Sequence, residues 1–520
     1  MRKFIFVISF FVLHALGLFA QEVFREVYIS WDDFVAEYYS FLPMVADDEA
    51  EGVEENNDYL EELAMLAASP LNINQATRSD LLQLPFLSES QADSILSYRD
   101  FKRRIITLGE LQFVKGMDYN TRRYLSLFVF AGEPIKKSLS FAELLTKGKH
   151  ELSFTAEHPF YKRAGFSITD NNGELKRPSQ IYLGSPLKHS VRYRYKYGKR
   201  VSYGFTLEQD AGEPFPVKGG LPYDYNSFYV NYASADDCWK VYLGDYKVNF
   251  GLGLLMGRPI YAGQLSLLNG NDFTSNRIIS HKGTDETNFL RGAAVKYSGD
   301  GWETSAFLSY RRLDANLTDG VVTSLLTSGL HRTSVEQQRR HNLGTFTAGA
   351  NFSRIYGHHV VSLNGYWATY EYPIQPSLSD YNRHYLRGKE AAGFSASHGF
   401  KHKRWTTQIE LAMDRGGHPA AIGWGRLALS SDFLLVAQGR WLSNQYVAPY
   451  SNPLVASSKS QGEQGFMCGI THRAWLGLGW KAYVDVYRFT NPTYRAECGA
   501  RGLKTYLQID KNLSDSWQIA

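Results

Sequence analysis

Cysteine is scarce in this chain. The 520 residues hold three, at positions 238, 468 and 498, too few and too far apart for a disulfide framework. We assign them neither metal binding nor catalysis. Long apolar runs are absent after the first twenty residues, and the mean hydropathy is −0.32. A polytopic helical membrane protein is thereby excluded. A membrane β-barrel is not, because its strands hide their apolar residues by alternation. Charge of one sign is lacking too: a net +4 does not by itself mark a nucleic-acid binder. Aromatic residues are abundant. The 34 tyrosines suit a protein with an extensive membrane–water boundary. With 44% hydrophobic residues the chain can bury a core, which excludes wholesale disorder.

The N-terminus has the build of an export signal. Arg2 and Lys3 precede an apolar run from Phe4 to about Phe19, with cleavage expected between Ala20 and Gln21. Residues 21–66 are acidic, with 14 Asp or Glu against one Arg. Trp31 to Tyr39 reads as a short amphipathic helix, Asp47 to Asp58 as a charged linker, and Asp58 to Ala67 as a second helix capped by Asn57. The segment as a whole is expected to be a solvated spacer.

Residues 67–131 carry the most specific local signal. Leu71-Asn72-Ile73-Asn74-Gln75-Ala76-Thr77 leads to Leu81-Leu82-Gln83-Leu84-Pro85-Phe86-Leu87-Ser88 and a helix beginning near Gln91. A second copy runs from Leu108 through Val114-Lys115-Gly116-Met117-Asp118 to a helix over Thr121–Phe128, with Thr77 and Thr121 placed as N-caps. This pattern resembles the tandem helix-hairpin-helix domain of competence-type DNA-binding proteins. The resemblance implies that bare backbone N–H groups of a Gly-hydrophobic-Gly turn cradle a DNA phosphate. The matching positions are Phe86, Leu87 and Ser88 in the first turn and Lys115, Gly116 and Met117 in the second. The first has no glycine, and the second sets Asp118 where a phosphate belongs. Eight basic and six acidic residues give the unit only about +2. A structural or protein-docking role is therefore expected ahead of DNA binding.

From Gly148 the period changes to two. Val191, Tyr193, Tyr195 and Tyr197 alternate with Arg192, Arg194 and Lys196. Trp405, Thr407, Ile409, Leu411 and Met413 alternate with Thr406, Gln408 and Glu410. Tight turns alternate with mostly longer loops, as in a membrane barrel. Strands are expected at 148–158, 188–197, 201–210, 224–233, 238–256, 288–298, 302–312, 344–356, 358–371, 389–401, 404–414, 419–430, 433–444, 465–477 and 480–490. A sixteenth begins near Arg501, and Trp517 opens a seventeenth that Ala520 cuts short, so the barrel is expected to be incomplete at its C-terminus. The whole order resembles exported helix-hairpin-helix proteins of the Bacteroidetes kind, a resemblance that gives an architecture and no activity.

Chemistry is thin. Gly251-Leu252-Gly253-Leu254-Leu255-Met256-Gly257 lacks the strand–turn–helix setting of a dinucleotide loop and reads as close strand packing or a bulge. His358 and His359 are expected on opposite faces, and Asp414 with His418 on a solvated outer loop. Arg192, Arg194, Lys196, Glu208 and Glu410 are expected to line a lumen, setting solute preference or forming internal ion pairs.

The fold expected is thus α plus membrane β. A signal peptide (1–20), an acidic segment (21–66), a helix-hairpin-helix domain (67–131) and a linker (132–147) precede an antiparallel transmembrane barrel of 16 or more strands (148–520). The function expected is a nonenzymatic outer-membrane barrel for solute passage or surface binding, with no catalytic residue, metal or cofactor. Its N-terminal domain is expected to be a periplasmic adaptor. Its partners are expected to be outer-membrane lipid and a periplasmic protein; DNA uptake is the alternative.

Overall fold

The computed structural model describes residues 27–40, most of 63–132, and 141–519 with breaks at 170–171, 218–221, 258–262, 269–275, 431–432, 458–459, 476–477 and 515–516. The export signal, the 47–58 linker, Ser88 and Asp118 lie outside the described residues.

The N-terminal unit holds α1 (Trp31–Ser40), α2 (Arg78–Leu81), α3 (Glu89–Lys102) and α4 (Tyr119–Phe128). Two short strands, β1 (Leu71–Asn72) and β2 (Val129–Phe130), pair in parallel and tie its ends together. Ile73, Leu81, Leu84, Leu87, Ile95, Leu111, Leu125 and Phe128 form one buried core. Thr77 enters α2 through a reciprocal cap: its N–H donates to Asp80 Oδ2 at 2.6 Å, and its Oγ1 accepts from Asp80 N at 3.3 Å. Thr121 is not a cap. Helix α4 starts two residues earlier, and the buried Thr121 hydroxyl accepts from Gln91 Nε2 at 3.4 Å, joining α3 to α4.

For residues 31–40, helix α1 corrects the reading of this acidic segment as a solvated spacer. Trp31, Phe34 and Val35 make a stripe at helical spacing, and that stripe needs a partner. Phe34 is fully buried, with ring centroids 5.9 Å from Phe86, 5.4 Å from Tyr124 and 5.2 Å from Phe128. Glu37 accepts from Arg123 Nη1 and the Tyr124 hydroxyl, each at 2.8 Å.

The rest is one closed barrel, β3 to β22, in which each wall strand pairs antiparallel with the wall strand before it, while the short β12 makes one parallel bridge to β14. Its strands are β3 (Lys149–Glu157), β4 (Lys188–Tyr197), β5 (Val201–Gln209), β6 (Tyr225–Ala233), β7 (Trp239–Asn249), β8 (Arg277–Ser280), β9 (Leu290–Gly299), β10 (Trp302–Leu313), β11 (Ala315–Thr318), β12 (Val321–Leu325), β13 (Leu343–Tyr356), β14 (His359–Ile374), β15 (Gly388–His402), β16 (Trp405–Asp414), β17 (Pro419–Ala428), β18 (Phe433–Leu442), β19 (Glu463–Trp475), β20 (Leu478–Phe489), β21 (Arg501–Ser514) and β22 (Trp517–Ile519). Because β10 pairs directly with β13, and β7 with β9, the hairpin β11–β12 and the short β8 are additions to the wall. Sequence reasoning missed all three. It also ran one strand from 238 to 256, whereas the wall strand ends at Asn249.

Alternation sets the two faces. On β16, Gln408, Glu410, Ala412 and Asp414 are buried, while Ile409, Leu411 and Met413 are about half exposed. The outer face is an apolar band that also includes Leu308, Phe352, Leu363, Phe394, Phe466 and Val486. Tyr195 departs from this rule: it belongs to the outer face yet is fully buried. Helix α5 (Phe141–Thr146) covers it, with the Tyr195 hydroxyl donating to Leu144 O at 2.6 Å and Tyr203 to Leu145 O at 3.2 Å. The faces can be tested in lipid vesicles. Ile409→Arg is expected to cost roughly 2–4 kcal/mol of folding free energy, and Gln408→Arg much less. Equal costs would reverse the faces.

The N-terminal unit meets the barrel at the tight-turn end. Lys199, in the β4–β5 turn, pairs with Asp80. Lys401, at the end of β15, pairs with Asp93 at 3.3 Å, and Asp93 also holds Arg78 at 2.7 Å. In strand order these two turns lie about half the circumference apart.

Candidate functional site

The interior of the barrel is not empty. After Asn249 the chain leaves the wall and turns inward. Phe250, Leu252, Leu254, Leu255 and Met256 are all at least nine-tenths buried, as are Leu265, Leu267 and Leu268 of the short helix α6 (Leu265–Leu268). Glycine makes the turn possible. Gly251 and Gly253 sit at φ +58° and +87°, in the left-handed region that side chains resist. A Cβ on Gly251 would lie 2.7 Å from the Glu410 carboxyl carbon. The bulge expected over 251–257 is therefore a lumen plug.

Glu410 holds that plug. One carboxylate oxygen accepts Leu252 N–H at 2.6 Å and Leu254 N–H at 3.3 Å, and the other accepts the Ser395 hydroxyl at 2.7 Å. Successive backbone donors around left-handed glycines form an anion-binding nest, here filled by a wall side chain. A second inward loop, between β18 and β19, meets the first. Tyr446 donates to Leu254 O at 2.7 Å, Asn452 N–H to Gly253 O at 2.9 Å, and Gly257 N–H to Tyr450 O at 2.9 Å. The wall makes room with glycines: Leu255 packs over Gly393 and Leu268 over Gly469, where a Cβ would clash at 2.6 and 2.7 Å.

Beside the plug lies a charge triad. Arg440 places Nε 2.5 Å from Glu463, and Nη1 and Nη2 2.8 and 3.0 Å from Asp485, with all three side chains fully buried. Gln264, just before α6, donates to Asp485 at 3.4 Å. Nothing in the sequence pairs these positions: Arg440, Glu463 and Asp485 look like ordinary inward residues of β18, β19 and β20.

At the opposite end, the loops are knotted through His331. Its Nδ1 lies 2.5 Å from Asp224 and its Nε2 2.8 Å from Asp314, while its N–H donates to Glu213 at 2.8 Å. Arg340 approaches Asp224 at 3.2 Å. Glu213, Asp224 and His331 offer a geometry within reach of one metal ion. An imidazole bonded at both nitrogens to carboxylates is instead set up as an imidazolium. Burial alone would lower the His331 pKa, but the hydrogen bonds and charges of Asp224 and Asp314 raise it from 6.5 to about 9. Burial and the nearby Asp224 raise Glu213 to about 7. For a raised histidine the stabilisation is fully present below about pH 6.5 and is lost as pH rises through about 9. Protease nicking of the 326–342 loop is expected to be slow at pH 6 and to accelerate above pH 9 in the native chain. His331→Gln is expected to nick fast at both; a flat native profile would remove the imidazolium from the knot.

The other anticipated residues are distributed as follows. Arg192 and Arg194 stand on the face of β4 opposite Tyr193, and Lys196 lies within electrostatic reach of Lys149, Lys282 and Asp80. Glu208 pairs with Lys188 at 2.6 Å. Leu87 is buried, and Phe86, partly buried, packs against Phe34 of α1. Lys115 and Gly116 are exposed, with Gly116 at φ +80°, and Met117 packs on the core. His359 pairs with His398, 3.1 Å between ring nitrogens, and His358 with His402, ring centroids 4.3 Å apart. Asp414 is buried rather than solvated. It accepts His418 N–H at 2.8 Å and Val447 N–H at 2.9 Å, fixing the short loop and the neighbouring inward loop.

Residues 67–129 match the family model described as "Helix-hairpin-helix motif". No curated protein matches the chain. Among solved structures the chain is similar to OpdQ of Pseudomonas aeruginosa, at 10% identity and a TM-score of 0.32, with 64% of this chain and 81% of that one covered. It is also similar to OpdK of the same organism, crystallised with vanillate, at 11% and 0.33 over 62% and 82%. An anion-selective porin from Comamonas acidovorans matches at 9% and 0.29 over 69% and 98%. The barrel assignment rests on the strand pairing of this chain itself. Among the described residues no helix is long and apolar enough to cross a membrane.

Proposed function

We propose that this chain is a nonenzymatic outer-membrane barrel for solute passage, held shut by its own inward segment, with the helix-hairpin-helix unit as an adaptor at the periplasmic mouth. The observation that carries this reading is the closed wall, apolar outside and charged inside, whose interior is filled by residues 250–257 fastened to Glu410. A wall of this kind has no aqueous use for its outer face; in lipid that face is satisfied. Arg192, Arg194 and Lys196 form the basic part of the lining, next to the mouth that carries Asp80. The test is fractionation. The chain is expected to stay with outer membranes through a carbonate wash and to migrate anomalously in gels unless heated. Release as soluble protein would end the reading.

DNA handling has one observation in its favour, the exposed Lys115-Gly116 turn with its left-handed glycine. Against it, α1 sits on the first hairpin through Phe34 and Phe86. The full chain in detergent is expected to bind duplex DNA more weakly than about 10⁻⁵ M at physiological salt, no better than ordinary nonspecific contact. Submicromolar affinity with a clear salt slope would promote DNA uptake over solute passage.

A further inference from the structure

The outer wall is not uniformly convex. Where β10, β13, β14 and β15 run side by side, a groove of about 890 Å³ opens on the outward face. Its floor is a row of small residues in direct register, Ala306 opposite Ala350 opposite Gly365. Leu308, Phe352 and Phe394, each about half exposed, stand as its walls. Two residues beyond Phe352 on β13, roughly 7 Å along the strand, comes Arg354. In register it faces Trp302, and its guanidinium lies 4.2 Å over that indole. Arg354 Nη1 donates to Asp300 O at 2.9 Å. Among the described residues no carboxylate pairs with it, so its charge is matched only by a carbonyl and a ring face. Trp239 and Tyr297, with centroids 4.9 Å apart, extend the aromatic belt at the same level.

An apolar trough that ends in an outward guanidinium within an aromatic belt has the chemistry of one molecule. We infer that this groove binds an anionic phospholipid of the leaflet on the side of the N-terminal unit, with an acyl chain lying over Ala306, Ala350 and Gly365 and the phosphate held by Arg354. The inference rests on the membrane reading above. Small floor residues give the chain depth, and burying apolar surface in a lipid medium yields packing rather than hydrophobic gain. Selectivity therefore comes from the headgroup: a charge-assisted pair to phosphate is stronger than a neutral hydrogen bond, and Arg presents a fork that phosphate fits. A zwitterionic lipid offers the same phosphate with an added cation beside Arg354, which weakens the pair.

The experiment uses the full chain, folded into micelles and exposed to equal amounts of palmitoyl-oleoyl phosphatidylglycerol and the corresponding phosphatidylcholine, with bound lipid read by native mass spectrometry. One phosphatidylglycerol is expected to be retained about tenfold over phosphatidylcholine, because the choline cation repels Arg354 while both lipids offer the phosphate. Arg354→Gln is expected to erase the preference while either lipid still binds. Ala350→Trp, which fills the trough, is expected to remove retention of both while heat-modifiable migration persists. Ala306→Leu serves the same purpose with a smaller side chain should the tryptophan disturb folding. Retention without headgroup preference, or retention untouched by both fillings, would overturn the lipid site. Dimers that Ala350→Trp dissolves would show a second copy of the chain in the groove instead. A chain that never inserts into vesicles would remove the membrane reading itself, and this site with it.

Discussion

Arg440→Leu is expected to be the most destabilising single change in the barrel. The guanidinium is the only cation in hydrogen-bond contact with Glu463 and Asp485 among the described residues, and all three side chains are fully buried. A buried pair or triad is weak evidence of net stabilisation, since taking the charges out of water costs about what their attraction returns. Removing one partner is different, because it strands charge. Two carboxylates would share one pocket without a counter-ion, at a cost of about 3–5 kcal/mol. Glu463 also accepts the N–H groups of Ala456 and Ser457 at 3.0 and 2.6 Å, so the β18–β19 loop would loosen with it. Urea unfolding in vesicles, followed by the loss of heat-modifiable migration, measures the cost. The double replacement Arg440→Leu with Asp485→Leu is expected to recover part of the loss. A single mutant as stable as the native chain would show that the triad is not formed.

Glu410→Ala addresses the lumen rather than the wall. Its carboxylate answers the buried N–H groups of Leu252 and Leu254, which would be left without that acceptor. Each unmet buried donor costs about 1–3 kcal/mol, enough to shift a plugged resting state toward an open one. The expected result is a rise in single-channel conductance in planar bilayers from near zero to a steady open level, with folding retained. Glu410→Gln keeps one acceptor oxygen and is expected to give brief openings only. If Glu410→Ala stays silent while folded, the plug is held by its apolar packing and the Glu410 contact is incidental.

The wall was largely legible in the sequence because strand period and turn chemistry are local. Tyr193, Ile409 and Leu411 alternate with polar neighbours, and the breaks at Gly198-Lys199 and His402-Lys403 fall between the strands observed. The core positions Leu81, Leu84, Ile95 and Leu111 were legible for the same reason. The plug was not. Val248 to Met256 is as apolar as a wall strand, and the acceptor that meets its inward turn, Glu410, lies 158 residues beyond Leu252. The available signal was the glycine pair Gly251 and Gly253, which marks a left-handed backbone but not its direction. His331 was missed because its partners Asp224 and Asp314 come from separate loops. Helix α1 was legible as an amphipathic helix, but its docking was missed because the acidic surroundings outweighed a stripe of three apolar residues.

The two ion pairs that seat the N-terminal unit have a consequence of their own. Lys199–Asp80 and Lys401–Asp93 are partly exposed and half a circumference apart. Contacts of this kind contribute about 0–1 kcal/mol each and are screened within about 8 Å at physiological ionic strength. Each is thus comparable to thermal energy. Breaking one leaves the other as the remaining ion pair to the rim among the described residues, and the unit is expected to tilt about it like a shutter on one hinge. On the adaptor reading proposed above, the fraction of time the mouth is uncovered is expected to rise with ionic strength, whatever the state of the segment inside.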